Sequence, residues 1–114
     1  MNGPVLEMRV YALHPGVRDV FHARFRDQIA PMLSAYDISV IAAGPSLHDA
    51  DSYCLLRAFP SLAVRQAALD WFYGSAEWLT QHEVPVMAMI ASHNTVVLAA
   101  APGLAEALAA GLAG

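Results

Sequence analysis

From Val5 to Leu13 the chain alternates in the two-residue period of a strand, with Leu6, Met8, Val10 and Ala12 on one face and Glu7, Arg9 and Tyr11 on the other. His14-Pro15-Gly16 is a turn, after which the period changes. Val17, Phe21, Phe25, Ile29 and Met32 recur at steps of three and four, the apolar stripe of a helix, with Arg18, His22 and Arg26 on its flank. Asp37 to Ala43 reads as a second strand, and Gly44 to Asp51 as a hairpin loop by its turn residues. Ser52 to Phe59 is a third strand that sets Cys54, Leu56 and Ala58 against Tyr53, Leu55, Arg57 and Phe59. A second helix starts at Pro60-Ser61, with Ser61 suited to the N-cap, and runs to Trp71-Phe72-Tyr73. It stops or bends at Gly74-Ser75 and resumes through Glu77-Trp78 toward Ile90, with Pro85 removing one backbone donor. Thr95 to Ala101 is the fourth strand. The remainder is Ala, Gly and Leu with one charge, Glu106, and reads as a short amphipathic helix or a frayed end.

Strand-helix-strand, twice, is the ferredoxin-like βαββαβ order. The expected fold is α+β: a four-stranded antiparallel sheet with both helices on one face, in one domain over residues 1–101 and a tail over 102–114. The other sheet face must then carry polar residues or be covered.

Composition sharpens that requirement. Hydrophobic residues make up 57% of the 114 and charged residues only 14%, well below the roughly 25% charged of an ordinary soluble domain. With six Arg, no Lys, ten acidic residues and a net charge of −4, no nucleic-acid partner is expected and a polybasic membrane anchor is excluded. The excess of apolar residues needs a membrane, a ligand pocket or a partner subunit. The longest stretch free of Asp, Glu and Arg, Val84 to Ala105, has 22 residues, but Pro85, Ser92-His93-Asn94-Thr95 and Pro102-Gly103 interrupt it, so no membrane partner is expected. The opening Met1-Asn2-Gly3-Pro4 lacks the regions of a secretion signal, and the single Cys54 gives no disulfide framework; the expected location is cytoplasmic. A homodimer and a pocket remain as the owners of the apolar excess.

Three separated motifs carry a resemblance. Glu7-Met8-Arg9-Val10-Tyr11 followed by Leu13-His14-Pro15-Gly16, then Leu56-Arg57-Ala58-Phe59-Pro60, then Phe72-Tyr73-Gly74-Ser75-Ala76-Glu77-Trp78 are similar to NIPSNAP family proteins, in order over roughly residues 5 to 100. The resemblance implies a dimeric α+β barrel, in which two ferredoxin-like sheets close face to face. Relatives of that fold include cofactor-free monooxygenases, haem-degrading enzymes, lactone isomerases and polyketide cyclases, and also proteins with no established chemistry, so fold alone does not settle function. After Trp78 the chain departs from the family's basic and polar residues, placing Leu79, Val84, Pro85 and Val86 around Gln81, His82 and Glu83, which suggests a pocket adapted to something apolar.

Arg57 should approach Arg9 and Glu7 if the first and third strands pair. Two Arg near one Glu could bind a carboxylate or an enolate, or could form a paired network buried across the dimer barrel. Trp71, Phe72, Tyr73 and Trp78 concentrate aromatic surface at the helix break, where pockets often form. Tyr73 and Glu77 are spaced i,i+4, as are Trp78 and His82. In the cyclase relatives catalytic Tyr and His side chains come from about this segment. Tyr73, Glu77, His82, Arg9 and Arg57 are therefore the candidate catalytic residues, and Tyr11, Tyr53, Trp71, Phe72 and Trp78 the candidate substrate-binding residues. A Glu among aromatics would have a raised pKa and could act as acid or base near neutral pH. His14, His22, His48, His82 and His93 show no metal-binding spacing, and His48-Asp49-Ala50-Asp51 reads as a solvated turn, so neither metal nor cofactor is expected. Two functions fit. One is a cofactor-free enzyme performing cyclisation, isomerisation or oxygenation on an apolar, aromatic or polyketide-like substrate. The other is a non-catalytic module that binds a small molecule or a protein.

Overall fold

The first strand, β1 (Val5–Leu13), is central because both its edges are paired in the computed structural model, which describes residues 3–113. It runs antiparallel to β3 (Ser52–Phe59) on one side and to β4 (Ile90–Ala99) on the other, and β2 (Ser39–Pro45) adds to the outer edge of β3, giving the order β2-β3-β1-β4. This is the expected four-stranded antiparallel α+β sheet. Met1, Asn2 and Gly114, at the ends of the expected domain and tail, lie outside the described residues.

The boundaries of two strands differ from expectation. β2 starts at Ser39 rather than Asp37, because Asp37 adopts a left-handed conformation (φ 58°) that closes the preceding helix. The amide of Asp37 donates to the carbonyl of Ser34, and that of Ile38 to the carbonyl of Leu33, the double bond of a Schellman cap. β2 also continues through Gly44 and Pro45, which pair with Cys54 and Tyr53 rather than opening a loop. β4 begins at Ile90 and ends at Ala99, whereas the polar run Ser92-His93-Asn94 had suggested a start at Thr95. Those residues sit opposite Ala12, Tyr11 and Val10, so β1 templates the strand along its whole length and overrides local polarity.

The first helical region runs through α1 (Arg18–Arg24), a π-helical turn (Phe25–Ile29) and α2 (Ala30–Ala35), and its buried side chains Phe21, Phe25, Ile29 and Met32 are the expected stripe. In the second region α3 (Leu62–Tyr73) starts where Ser61 Oγ accepts from the Val64 amide, and buries Leu69 and Phe72. The chain breaks at Gly74, where a Cβ would meet the Asp70 carbonyl oxygen at 2.7 Å. Ser75 then caps the next segment: its Oγ donates to the Phe72 carbonyl and accepts from the Trp78 amide. A second π-helical turn (Trp78–His82) leads into α4 (Glu83–Met89). Each π turn lies just before a proline, Pro31 or Pro85, whose missing N–H disrupts regular helical bonding. Pro85 leaves the Gln81 carbonyl without its usual i+4 donor, and Arg24 Nη2 donates to that oxygen at 2.6 Å. The last helix, α5 (Leu104–Ala113), resolves the open reading of the tail in favour of a helix. Among the described residues no helix is long and apolar enough to cross a membrane.

The helix-facing side of the sheet carries charged as well as apolar residues. Glu7, Tyr11, Tyr53, Leu55, Arg57 and Phe59 are buried toward the helices. Met8, Val10, Val96 and Leu98 lie on the opposite face and are between 41% and 55% exposed. The charged network is therefore already buried within the single chain, without a second copy to cover it. It sits beneath the helices because Glu7 and Arg57 are register partners on the helix-facing side.

Candidate functional site

Glu7 is the hub of the interior. Its Oε1 accepts from Arg57 Nε at 2.7 Å and lies 2.6 Å from Arg57 Nη2; its Oε2 accepts from Arg65 Nε at 2.7 Å. Arg9 Nε stands 3.4 Å from the same Oε1. Burial alone would raise the pKa of this carboxyl, but Arg57, Arg9 and Arg65 outweigh that and hold it below the ordinary carboxylate value. Three guanidiniums against one carboxylate leave a net positive cluster.

Tyr73, at the C-terminal end of α3, connects this cluster to open space. Its hydroxyl oxygen accepts from Arg9 Nη1 and from Arg57 Nη1, each at 3.1 Å. Arg9 also lies over its ring, 5.4 Å from the centroid. With two cationic donors on the oxygen, the phenol's own proton is left to donate elsewhere. The space beside it is a cavity of about 80 Å³ between the sheet and the helices. Its walls are mostly apolar, from Phe21, Phe25, Ile29, Leu33, Leu55 and Val86. Its polar groups are Arg9, Tyr11, Arg24, Tyr73 and His93. Burial raises the Tyr11 pKa, and the neighbouring Tyr73 adds to the effect, so Tyr11 is a neutral phenol. A wider groove of about 510 Å³ lies between α5 and the β2–β3 edge; it is lined by small and apolar residues with Glu106 its charged one.

The structure unites some of the expected site residues and separates others. Arg9, Tyr73, Tyr11 and Trp78 all line the cavity, and Arg57 reaches Tyr73 from behind. Glu77 does not join them. It is exposed on the outer side of the π turn, because the break at Gly74 removes the continuous helix that the i,i+4 spacing with Tyr73 assumed. The interior glutamate is Glu7 instead. Trp71 also turns outward, 60% exposed, with its ring 4.4 Å from that of Tyr36. Phe72 is fully buried core, packed between Tyr36 and Trp78. Tyr53 is fully buried with its hydroxyl 2.7 Å from His22 Nδ1, and burial pushes its pKa up to about 12. His82 is buried behind the cavity wall against Trp78, and Arg24 Nη2 lies 3.3 Å from its Nδ1. Desolvation, then Arg24, lowers the His82 pKa, so the ring is neutral and accepts at Nδ1.

Two functional arginines escaped sequence reasoning. Arg65 falls in step with Leu69 and Phe72, four and three residues apart, so a charge on the buried face of α3 was a legible signal. Arg24 lies three residues from Phe21 and next to Phe25 on the cavity-facing helix. His93 lines the cavity because β4 begins early and sets it opposite Tyr11. In the hairpin loop Asp49 Oδ1 accepts from the amides of Asp51 and Ser52, a turn-stabilising role. Among the described residues no three His, Cys, Asp or Glu side chains gather as metal ligands would.

Comparison with known proteins gives consistent relatives of the fold. The NIPSNAP family model matches residues 6–102. An uncharacterized NIPSNAP-like domain protein from Burkholderia xenovorans superposes with a TM-score of 0.79 at 14% identity, covering 90% of this chain and 89% of that one. A NIPSNAP family protein from Agrobacterium tumefaciens gives 0.76 at 16% identity, with 93% of each chain covered. SnoaB, a cofactor-independent oxygenase from Streptomyces nogalater, gives 0.64 at 14% identity, with 89% and 96% covered. No curated protein sequence matches the chain.

Proposed function

The chain belongs to the NIPSNAP family, and on that premise we propose that it is a small cofactor-free enzyme acting by acid–base chemistry on an apolar, aromatic or polyketide-like molecule. The observation that carries this reading is the Tyr73 hydroxyl, held by Arg9 and Arg57 at the edge of an otherwise apolar cavity. A substrate oxygen placed beside Tyr73 receives its proton or hydrogen bond, while Arg9 stabilises negative charge developing there. The apolar walls keep the local dielectric low, which strengthens both effects. His93 offers an imidazole across the same cavity as a proton acceptor. Cyclisation, isomerisation and oxygenation share an enolate-like anion that such a site stabilises. Oxygenation additionally needs an electron-rich substrate that itself reacts with dioxygen. The fold likeness to SnoaB fits this chemistry.

The reading includes a homodimer. A second copy closing on the open face would bury Met8, Val10, Val96 and Leu98, which a lone subunit leaves in water.

A second reading is a non-catalytic module that holds an apolar small molecule. It is favoured by one observation: the interior carboxylate, Glu7, is saturated by arginines and unavailable as a base. A turnover screen of polycyclic phenols and β-polyketones, followed by dioxygen uptake and absorbance, separates the two. If the enzyme reading holds, Tyr73→Phe lowers kcat on any accepted substrate by about 10²–10⁴-fold. Unchanged turnover in Tyr73→Phe would remove Tyr73 from the chemistry, and binding with no turnover across the screen would favour the module.

A further inference from the structure

Resting on the cavity reading above, we infer that Arg24 is an anion anchor, and that the molecule occupying the cavity is apolar with one anionic oxygen group, of which an aromatic carboxylate is the simplest form. Four of the six arginines approach this interior: Arg9, Arg57, Arg65 and Arg24. The first three each have the Glu7 carboxylate within 3.4 Å. Arg24 differs. It is half-buried, lines the cavity, and forms no salt bridge among the described residues. Its Nη2 is held by the Gln81 carbonyl at 2.6 Å and faces the neutral Nδ1 of His82 at 3.3 Å. Both partners supply dipoles and neither supplies negative charge. Its Nε is buried with no hydrogen-bond partner.

A guanidinium withdrawn from water without a counter-charge is costly, and that cost is recovered when an anion binds. The surface does not supply the anion: the exposed pair Arg26–Asp27 is closed on itself, with Arg26 Nε 2.8 Å from Asp27 Oδ1. The cavity walls do not supply it either, since their polar groups are arginines, phenols and an imidazole. A neutral ligand would leave Arg24 uncompensated and a cationic one would meet Arg9 and Arg24 together. The Pro85 device gives the anchor its fixed pose, because the carbonyl released by that proline is what holds Nη2. Arg24 is therefore a binding residue built into the wall opposite the sheet.

Benzoate and benzamide, which share a shape and differ in charge, are the probes, titrated into the full chain by calorimetry. Wild type should bind benzoate at least about tenfold more tightly than benzamide, the range of one charge-assisted hydrogen-bonded contact. Arg24→Met should reduce that preference to about twofold or less while benzamide binding is kept, and Arg24→Lys should recover part of it. Thermal unfolding of each variant separates lost binding from lost folding. A wild-type preference that survives Arg24→Met in a folded protein overturns the assignment. Equal binding of the two probes by wild type overturns the anionic ligand and leaves the cavity reading standing; binding of neither overturns both.

Discussion

Toward the helices the sheet presents Glu7, Arg9, Tyr11, Tyr53 and Arg57; away from them it presents Met8, Val10, Leu56, Val96 and Leu98. In most half-covered sheets the apolar face meets the helices and the polar face meets water. Here the helix-facing side holds a charged cluster among its core residues Val5, Leu55 and Phe59, and the open side holds half-exposed apolar residues, so each face departs from that pattern in its own way. The inner face pairs its charges, with one carboxylate at the centre of three guanidiniums. The outer face has no such pairing within the chain, and the proposed second copy would cover it. The contrast teaches that a buried polar face is a place for chemistry, and an exposed apolar face a place for assembly.

The sharpest break in that contrast is removal of the inner carboxylate. Glu7→Ala leaves three arginines facing one another in the interior and should cost about 3–5 kcal/mol of stability, read by urea unfolding. Acid should act through the same group. The Glu7 pKa is lowered in the fold, so its contribution is intact above the ordinary value of 4.5 and is lost as pH falls through the lower folded value. Loss of stability on the alkaline side instead would contradict the pairing. On the other face, Val10→Asp places a charge at the centre of the proposed dimer contact and should weaken association by on the order of 3 kcal/mol. Light scattering after size exclusion should then find a monomer with unchanged circular dichroism. The smallest effect should come from Glu77→Gln: an exposed residue outside the cavity, it should shift stability by less than about 0.5 kcal/mol and leave turnover unchanged.

Much of this was legible in the chain. The two-residue alternation of β1 and β3 sorted Glu7, Arg9, Tyr11 and Arg57 onto one face, and Ser61 announced its cap. What alternation does not carry is which face meets the helices, since both orders have the same period. The ion pairs that Glu7 forms in three dimensions are what make its face stable inside. Local spacing failed at Glu77 for a different reason: an i,i+4 relation holds within one continuous helix, and Gly74 ends it. The polar Ser92, His93 and Asn94 predict a later start for β4, yet an edge strand paired along β1 accepts polar residues where water reaches them. Arg24 gave no local signal, because its role depends on Pro85 releasing a carbonyl about 60 residues away in the chain.

The central proposal is that the site belongs to the inner face of one chain, while the outer face forms the proposed dimer contact. Benzoate titration of the monomeric Val10→Asp protein tests it most directly. On this account the cavity is walled without a second copy, so the affinity should stay within about twofold of wild type. A folded monomer that no longer binds benzoate would place part of the site in the second copy and contradict the account.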